Sequence, residues 1–139
     1  MGPILRVRVP GALQEVRQLN GTVARFLQEQ TASAATIHDV QLVLEEVTTN
    51  VIRHSTPTHQ VLTLEVELEM EPGVVRLRVE DDGSEFDPTA APEKAEEARP
   101  PGRRSGGYGL RIVRRTAVRL DYRRFKGLNV LEMWVPRLP

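Results

Sequence analysis

Hydrophobic positions along the chain repeat with two different periods, and the periods divide it into strands and helices. From Ile4 to Val9 apolar and basic residues alternate, and the run ends at Pro10, as a half-buried strand at a sheet edge would. Between Leu13 and Glu29 the apolar residues Leu13, Val16, Leu19, Val23, Phe26 and Leu27 recur at three and four, which predicts an amphipathic helix carrying Gly21 at some cost. The small polar segment from Thr31 to Ala35 separates it from a second helix, capped by Ser33 or Thr36. There Val40, Leu44, Val47 and Val51 share a narrow arc at about 100° per residue and form the core stripe. Asp39, Glu46, Asn50 and Arg53 fall on a second arc, with His54 between the two, so Glu46 and Asn50 are expected to border the core and line a cleft. Pro57 stops the helix. Val61 to Met70 and Val74 to Glu80 then alternate strictly about Glu71, Pro72 and Gly73, a hairpin whose apolar face needs helices as cover. Leu110, Ile112, Val113, Ala117 and Val118 predict a third helix. Two last strands, Leu120 to Phe125 and Val130 to Val135, are joined by a turn over Lys126, Gly127, Leu128 and Asn129.

Composition narrows the chemistry. At 139 residues, 40% apolar and 27% charged, the chain is expected to be one globular domain over 1–139. It has no cysteine, which excludes disulfides, thiolate metal sites and a Cys nucleophile. Its three histidines, His38, His54 and His59, form no HExxH pattern. The start lacks the apolar run of a signal peptide, and no stretch approaches the ~20 apolar residues of a membrane span, so a cytoplasmic location is expected. The net charge of zero is unevenly placed: acids crowd Glu65 to Glu97, whereas arginines dominate from Arg103 onward. A phosphate or nucleic-acid ligand, an acidic partner and a plain solvated face all remain open. The scarcity of aromatics counts against single-strand nucleic acid.

Three short stretches carry candidate chemistry. Glu46 and Asn50 lie one helical turn apart; a carboxylate can take a proton or orient a nucleophile, and an amide oxygen can ligate a hard cation, although a solvated helix face has the same composition. At the end of the hairpin's second strand, Asp81-x-Gly83 sets an acceptor beside backbone that a ligand can approach closely, or forms an ordinary acidic turn. Asp81 and Asp82 point to opposite faces and make a poor acid–base pair. From Asp87 to Ser105 the chain is rich in Pro, Ala, Glu and Arg, with one or two helical turns over Pro92 to Ala98, as in a lid or binding loop. It ends in Gly106, Gly107, Tyr108 and Gly109, where a helix start offers N–H groups to an anion or a flexible hinge caps the helix. No Gly-Lys-Ser/Thr follows and the third Rossmann glycine is missing. Arg111, Arg114, Arg115 and Arg119 share the outer face of the third helix.

The order of Glu46 and Asn50, hairpin, Asp81-x-Gly83, long loop and Gly107-x-Gly109 resembles the ATP-binding domain of histidine kinases, gyrase-type topoisomerases, certain heat-shock chaperones and the bacterial anti-sigma-factor serine/threonine kinases. The stretches VEDDGSEFDP, GYGLRIV and YRRFKGLNVLEMWV are most similar to the last group. That resemblance implies an α/β (α+β) two-layer sandwich of Bergerat type, a mixed, mostly antiparallel sheet covered on one face by three helices, with a lid at about 87–106. It implies ATP and Mg²⁺, with Glu46 as general base, Asn50 as metal ligand, and Asp81 accepting from the adenine amino group beside Gly83. Gly107, Gly109 and the start of the third helix would hold phosphates, and Arg53, His54, Phe86, Tyr108 and Leu110 complete the nucleotide contacts. The implied activity is protein serine/threonine phosphorylation of an anti-anti-sigma (STAS-type) partner together with sequestration of a sigma factor. A homodimer is implied, and neither direct nucleic-acid nor membrane binding. A nucleotide-dependent binding switch and an orphan histidine-kinase-type catalytic domain are the alternatives. One position departs from the pattern: Glu85 stands where the family has a second glycine, and a negative side chain there is expected to weaken nucleotide binding or reshape the pocket.

Overall fold

The computed structural model describes residues 2–55, 61–90 and 110–139. Eight elements follow in order: β1 (Ile4–Pro10), α1 (Leu13–Glu29), α2 (Ala34–His54), β2 (Thr63–Glu71), β3 (Val74–Asp81), α3 (Arg111–Thr116), β4 (Arg119–Phe125) and β5 (Leu128–Pro136). The strands form one sheet in the order β1-β2-β3-β5-β4. Among the described residues every pairing is antiparallel, in line with the mostly antiparallel sheet expected and without its mixed part.

Strand alternation divides the sheet into two unlike faces. One face carries Val66, Leu68, Val75, Leu77, Val79, Leu131, Met133 and Val135, which join Leu19, Val23, Leu27, Val40, Leu44 and Val47 of the helices in a single core. On the other face the register aligns Arg6, Glu67, Arg78, Glu132 and Asp121 across all five strands. There Glu67 lies 2.6 Å from Arg6, 2.9 Å from Arg76 and 3.4 Å from Arg78. Burial acts to raise the Glu67 carboxyl, but the Arg6 hydrogen bond and the charges of Arg78, Arg6 and Arg76 outweigh it and hold the group below its ordinary range. Charge neutralised pair by pair keeps that face polar, so the helices have only one side on which to pack.

Helix α2 is the central helix, packed on α1, α3, β3 and β5. Ser33 caps it, accepting a hydrogen bond from the Thr36 N–H at 3.1 Å. Because neighbours cover it on more than one side, its buried set includes Val43, Thr48 and Asn50 beyond the expected core stripe.

Two boundaries differ from expectation. Helix α3 ends at Thr116: Ala117 is extended, and the Val118 N–H donates to the Trp134 carbonyl at 2.8 Å. Val118 is therefore exposed and outside the helix, and Arg119 lies on β4 over the Trp134 ring instead of on the helix's outer face. Residues such as Ala and Val satisfy either period, and pairing with β5 decides in favour of the strand. The last turn is also tighter. Lys126 and Gly127 take φ of 50° and 77°, a two-residue hairpin turn, so Leu128 and Asn129 belong to β5.

Leu110, which opens α3 with φ 46°, is fully buried in the core cluster. Its side chain, with that of Val113, anchors the six-residue helix in the core. Leu110→Ala is expected to destabilise the fold by about 2–5 kcal/mol, measured by denaturant unfolding.

Candidate functional site

The register that builds the core also places the polar site. Across the helix-facing side of the sheet one row reads Val9, Leu64, Asp81, Asn129 and Arg124, apolar at one end and polar at the other. Asp81 is 3% exposed and Asn129 4%. A carboxyl this deep is tolerated only with hydrogen-bond partners. The Asn129 Nδ2 donates to Asp81 Oδ1 at 2.9 Å, the Gly83 N–H at 3.0 Å and the Ser55 hydroxyl at 3.0 Å. All three donors converge on Oδ1, and Oδ2 accepts from none of them, which leaves it with acceptor capacity. Burial pushes the Asp81 carboxyl up from its ordinary value; the Asn129, Gly83 and Ser55 donors act against that rise, and the Asp82 charge adds to it.

Ser55 closes α2 as its C-cap, so this hydroxyl ties the end of the central helix to the end of β3. A Cβ on Gly83 would lie 2.1 Å from the Ser55 Oγ and 3.0 Å from Leu62 Cδ1. Glycine is thus required there by the protein's own packing, before any ligand approaches. Asp82 faces the other way and accepts from the Thr63 N–H at 2.8 Å. Arg124 donates to the Gly83 carbonyl at 2.8 Å.

On α2, Glu46, Asn50 and His54 follow one another at single-turn spacing. The Glu46 carboxylate reaches α3, its oxygens accepting from the N–H groups of Ile112 at 3.2 Å and Val113 at 3.0 Å. Those two donors of the α3 start, expected to face phosphate, are therefore engaged by Glu46. Each carboxylate oxygen keeps a further acceptor position. Asn50 is 1% exposed, buried where a border position was expected, and both its Oδ1 and Nδ2 lack any hydrogen-bond partner among the described residues. An orphaned amide in the interior costs stability. His54 stacks on Phe86 with ring centroids 5.4 Å apart, which brings the last turn of α2 against the turn after β3. Arg53 is exposed, and the Leu110 side chain lies in the apolar core. Gly107, Tyr108, Gly109 and most of the lid expected at 87–106 lie outside the described residues, as does the short helix expected over Pro92 to Ala98.

The structure thus gathers Glu46, Asn50, His54, Asp81, Gly83 and Phe86 between α2, α3 and the end of β3. It adds Ser55, Tyr122, Arg124 and Asn129, which the sequence reading left out. Tyr122 donates to Asn129 Oδ1 at 2.6 Å. Burial raises the Tyr122 hydroxyl from its ordinary value, the Glu85 and Asp87 charges add to this, and Arg124 and the Phe86 backbone oppose it. The residues present fit a Mg²⁺-nucleotide. Asn50 supplies a buried amide oxygen of the kind a hard cation takes, and Asp81 a directed acceptor for an amino group. No group of three or more His, Cys, Asp or Glu side chains able to hold a metal by themselves occurs among the described residues, and none of their helices is long and apolar enough to cross a membrane.

Two substitutions test these environments. Asn50→Leu removes the orphaned amide at similar volume and is expected to raise stability without ligand by about 1–3 kcal/mol in denaturant unfolding. Asp81 is raised on folding, so its contribution to stability is full below the unfolded pKa and is lost as pH climbs through the folded value. Asp81→Asn does not titrate. Its stability relative to the native chain is expected to improve as pH rises above the ordinary carboxylate value and to level off once the folded native carboxyl has ionised, read from denaturation midpoints.

Comparison with known proteins bears on the family and the fold. No curated protein sequence matches the chain significantly. Among solved structures, that of the RsbU and RsbW domains of Rv1364c from Mycobacterium tuberculosis is similar, at 16% identity and a TM-score of 0.67. The match covers 97% of this chain and 32% of that one, so this chain spans about a third of that protein's length, and at such identity the likeness concerns the fold. The family model described as "Histidine kinase-like ATPase domain" matches residues 9–135, nearly the whole sequence. With this match over nearly its whole length, an antiparallel sheet and a helical layer, the chain belongs to the histidine kinase-like ATPase domain family.

Proposed function

We infer that the protein is an ATP-dependent serine/threonine protein kinase that also acts as an anti-sigma factor. The observation that carries the reading is an orphaned, fully buried Asn50 one turn from Glu46, on a helix whose C-cap Ser55 bonds an Asp81 with one open acceptor oxygen. In this reading Asp81 Oδ2 accepts from the exocyclic amino group of adenine, beside the Gly83 backbone. His54 and Phe86 frame the site, with Arg53 at its rim. Gly107, Tyr108 and Gly109 are assigned to the phosphates. Asn50 Oδ1 is the metal ligand. Bound Mg²⁺ would neutralise phosphate charge, which together with positioning is most of what phosphoryl transfer asks.

Glu46 is assigned as general base. Its bonds to the Ile112 and Val113 N–H groups hold the carboxylate at the α3 start and leave acceptor positions for the proton of an incoming hydroxyl. A regulatory partner protein is the proposed source of that hydroxyl. A STAS-type anti-anti-sigma protein is the proposed substrate, a sigma factor the sequestered partner, and a homodimer the proposed assembly.

A nucleotide-dependent switch without transfer chemistry would bind ATP identically but would not need Glu46. Transfer of labelled γ-phosphate to a STAS-type protein separates the two. Glu46→Ala is expected to reduce transfer by roughly 10²–10⁴-fold while calorimetry still detects Mg²⁺-ATP binding. Transfer that is unchanged in the variant removes Glu46 from the chemistry.

A further inference from the structure

Glu85 is the position at which this chain departs from the family pattern, and in the structure its side chain is exposed. Side-chain hydrogen bonds to the turn explain why it points outward. The Asn129 Nδ2 donates to the Ser84 carbonyl at 2.8 Å, and its Oδ1 accepts from the Phe86 N–H at 3.1 Å. The Ser84 carbonyl belongs to the peptide plane before Glu85, and the Phe86 N–H to the plane after it. Two planar peptides held at once fix φ and ψ of the residue between them.

The same amide also donates to Asp81 Oδ1 at 2.9 Å and accepts from the Tyr122 hydroxyl at 2.6 Å. Two donor and two acceptor bonds are thus made by one buried side chain, 4% exposed. The Phe86 N–H fixes which end of the amide is oxygen, because a backbone N–H only donates and only an acceptor can face it. With that orientation set, the NH₂ can only face Asp81 and Ser84. The Ser55 hydroxyl, 3.3 Å from the Ser84 carbonyl, and Arg124 on the Gly83 carbonyl hold the same turn from other elements.

The geometry points to Asn129 as the positioning residue of this site: it turns Asp81 so that Oδ2 is the open acceptor, and it holds the Ser84–Phe86 turn in the setting that keeps Glu85 out of the pocket. The ligand half of this statement rests on the proposed reading of Asp81 as the contact to a nucleobase amino group; the restraint on Glu85 does not. Asn129 thereby supplies by side-chain bonding the clearance that a glycine at position 85 would supply by lacking a side chain. Loss of the amide frees the turn and returns a carboxylate to the neighbourhood of the phosphate-bearing ligand.

The test is a double-mutant cycle in the full chain, read with a fluorescent N-methylanthraniloyl-ATP and Mg²⁺. Asn129→Ala is expected to weaken binding by about tenfold or more, since it removes a bond to a carboxyl group and the turn restraint together. Glu85→Gly alone is expected to stay within about threefold, as for other exposed positions. The pair is expected to recover most of the loss. Equal losses from Asn129→Ala in the native chain and in the Glu85→Gly background overturn the proposed exclusion of Glu85. Tyr122→Phe, which keeps the amide, gives a milder loss in the same direction and serves if Asn129→Ala folds poorly.

Two measurements without nucleotide stand apart from the adenine reading. In Asn129→Ala the Phe86 amide is expected to exchange hydrogen faster, and the Asp81 carboxyl to titrate higher in an NMR pH series. If the native chain fails to bind the nucleotide, the adenine reading falls while these two results still decide the positioning role. Unchanged exchange and unchanged titration overturn it.

Discussion

A carboxyl buried on the core side of a sheet is the constraint from which the rest of this site follows. Asp81 continues the alternation of Val75, Leu77 and Val79, so the strand delivers it into the apolar layer. A buried carboxyl there is tolerable only with partners, and they come from three separate elements: Ser55 at the end of α2, Gly83 in the turn beyond β3, and Asn129 on β5. Satisfying one oxygen of one side chain therefore fixes how the central helix ends, where the next turn lies and how β5 is registered. Because all three donors meet at Oδ1, the second oxygen keeps its capacity for something outside the protein.

The central helix shows the opposite condition. Asn50 is as deeply buried as the core residues around it and has no partner for either polar atom among the described residues. Such a residue weakens the fold, and proteins tolerate weakness of this kind where a site is used. One turn earlier, Glu46 holds the first N–H groups of the short α3, so the carboxylate contributes to structure as well as to the proposed chemistry. In the proposed reading Asp81, oriented by the protein, and Asn50, without a partner among the described residues, bracket the site.

Much of this was legible in the sequence. Helix α1 falls at the residues its periodicity predicts, and the hairpin and its buried face follow from strict alternation. Glu46, Asn50, Asp81 and Gly83 were visible as candidates because charge and glycine stand out against apolar periodicity. Asn129 was missed for a local reason: with Gly127 and Leu128 beside it, it was read as part of the turn. A two-residue Lys126-Gly127 turn gives it the same parity as Leu131, Met133 and Val135, a polar residue on the core side directly across from Asp81. Ser55 carries no signal in the sequence, since no pattern along the chain shows that a hydroxyl at a helix end will meet a carboxyl 26 residues later. The end of α3 was overextended because Ala117 and Val118 satisfy either period, and only pairing with Trp134 settles the matter.

The central claim, that Asp81 and Asn50 are the two ends of a Mg²⁺-ATP site, is tested most directly by a crystal structure with a non-hydrolysable ATP analogue and Mg²⁺. The account predicts the adenine amino group within hydrogen-bond distance of Asp81 Oδ2 and the Asn50 Oδ1 on the metal, with Asn129 still on Asp81 Oδ1. A nucleotide bound elsewhere, or one that leaves the Asn50 amide without a partner, would contradict it.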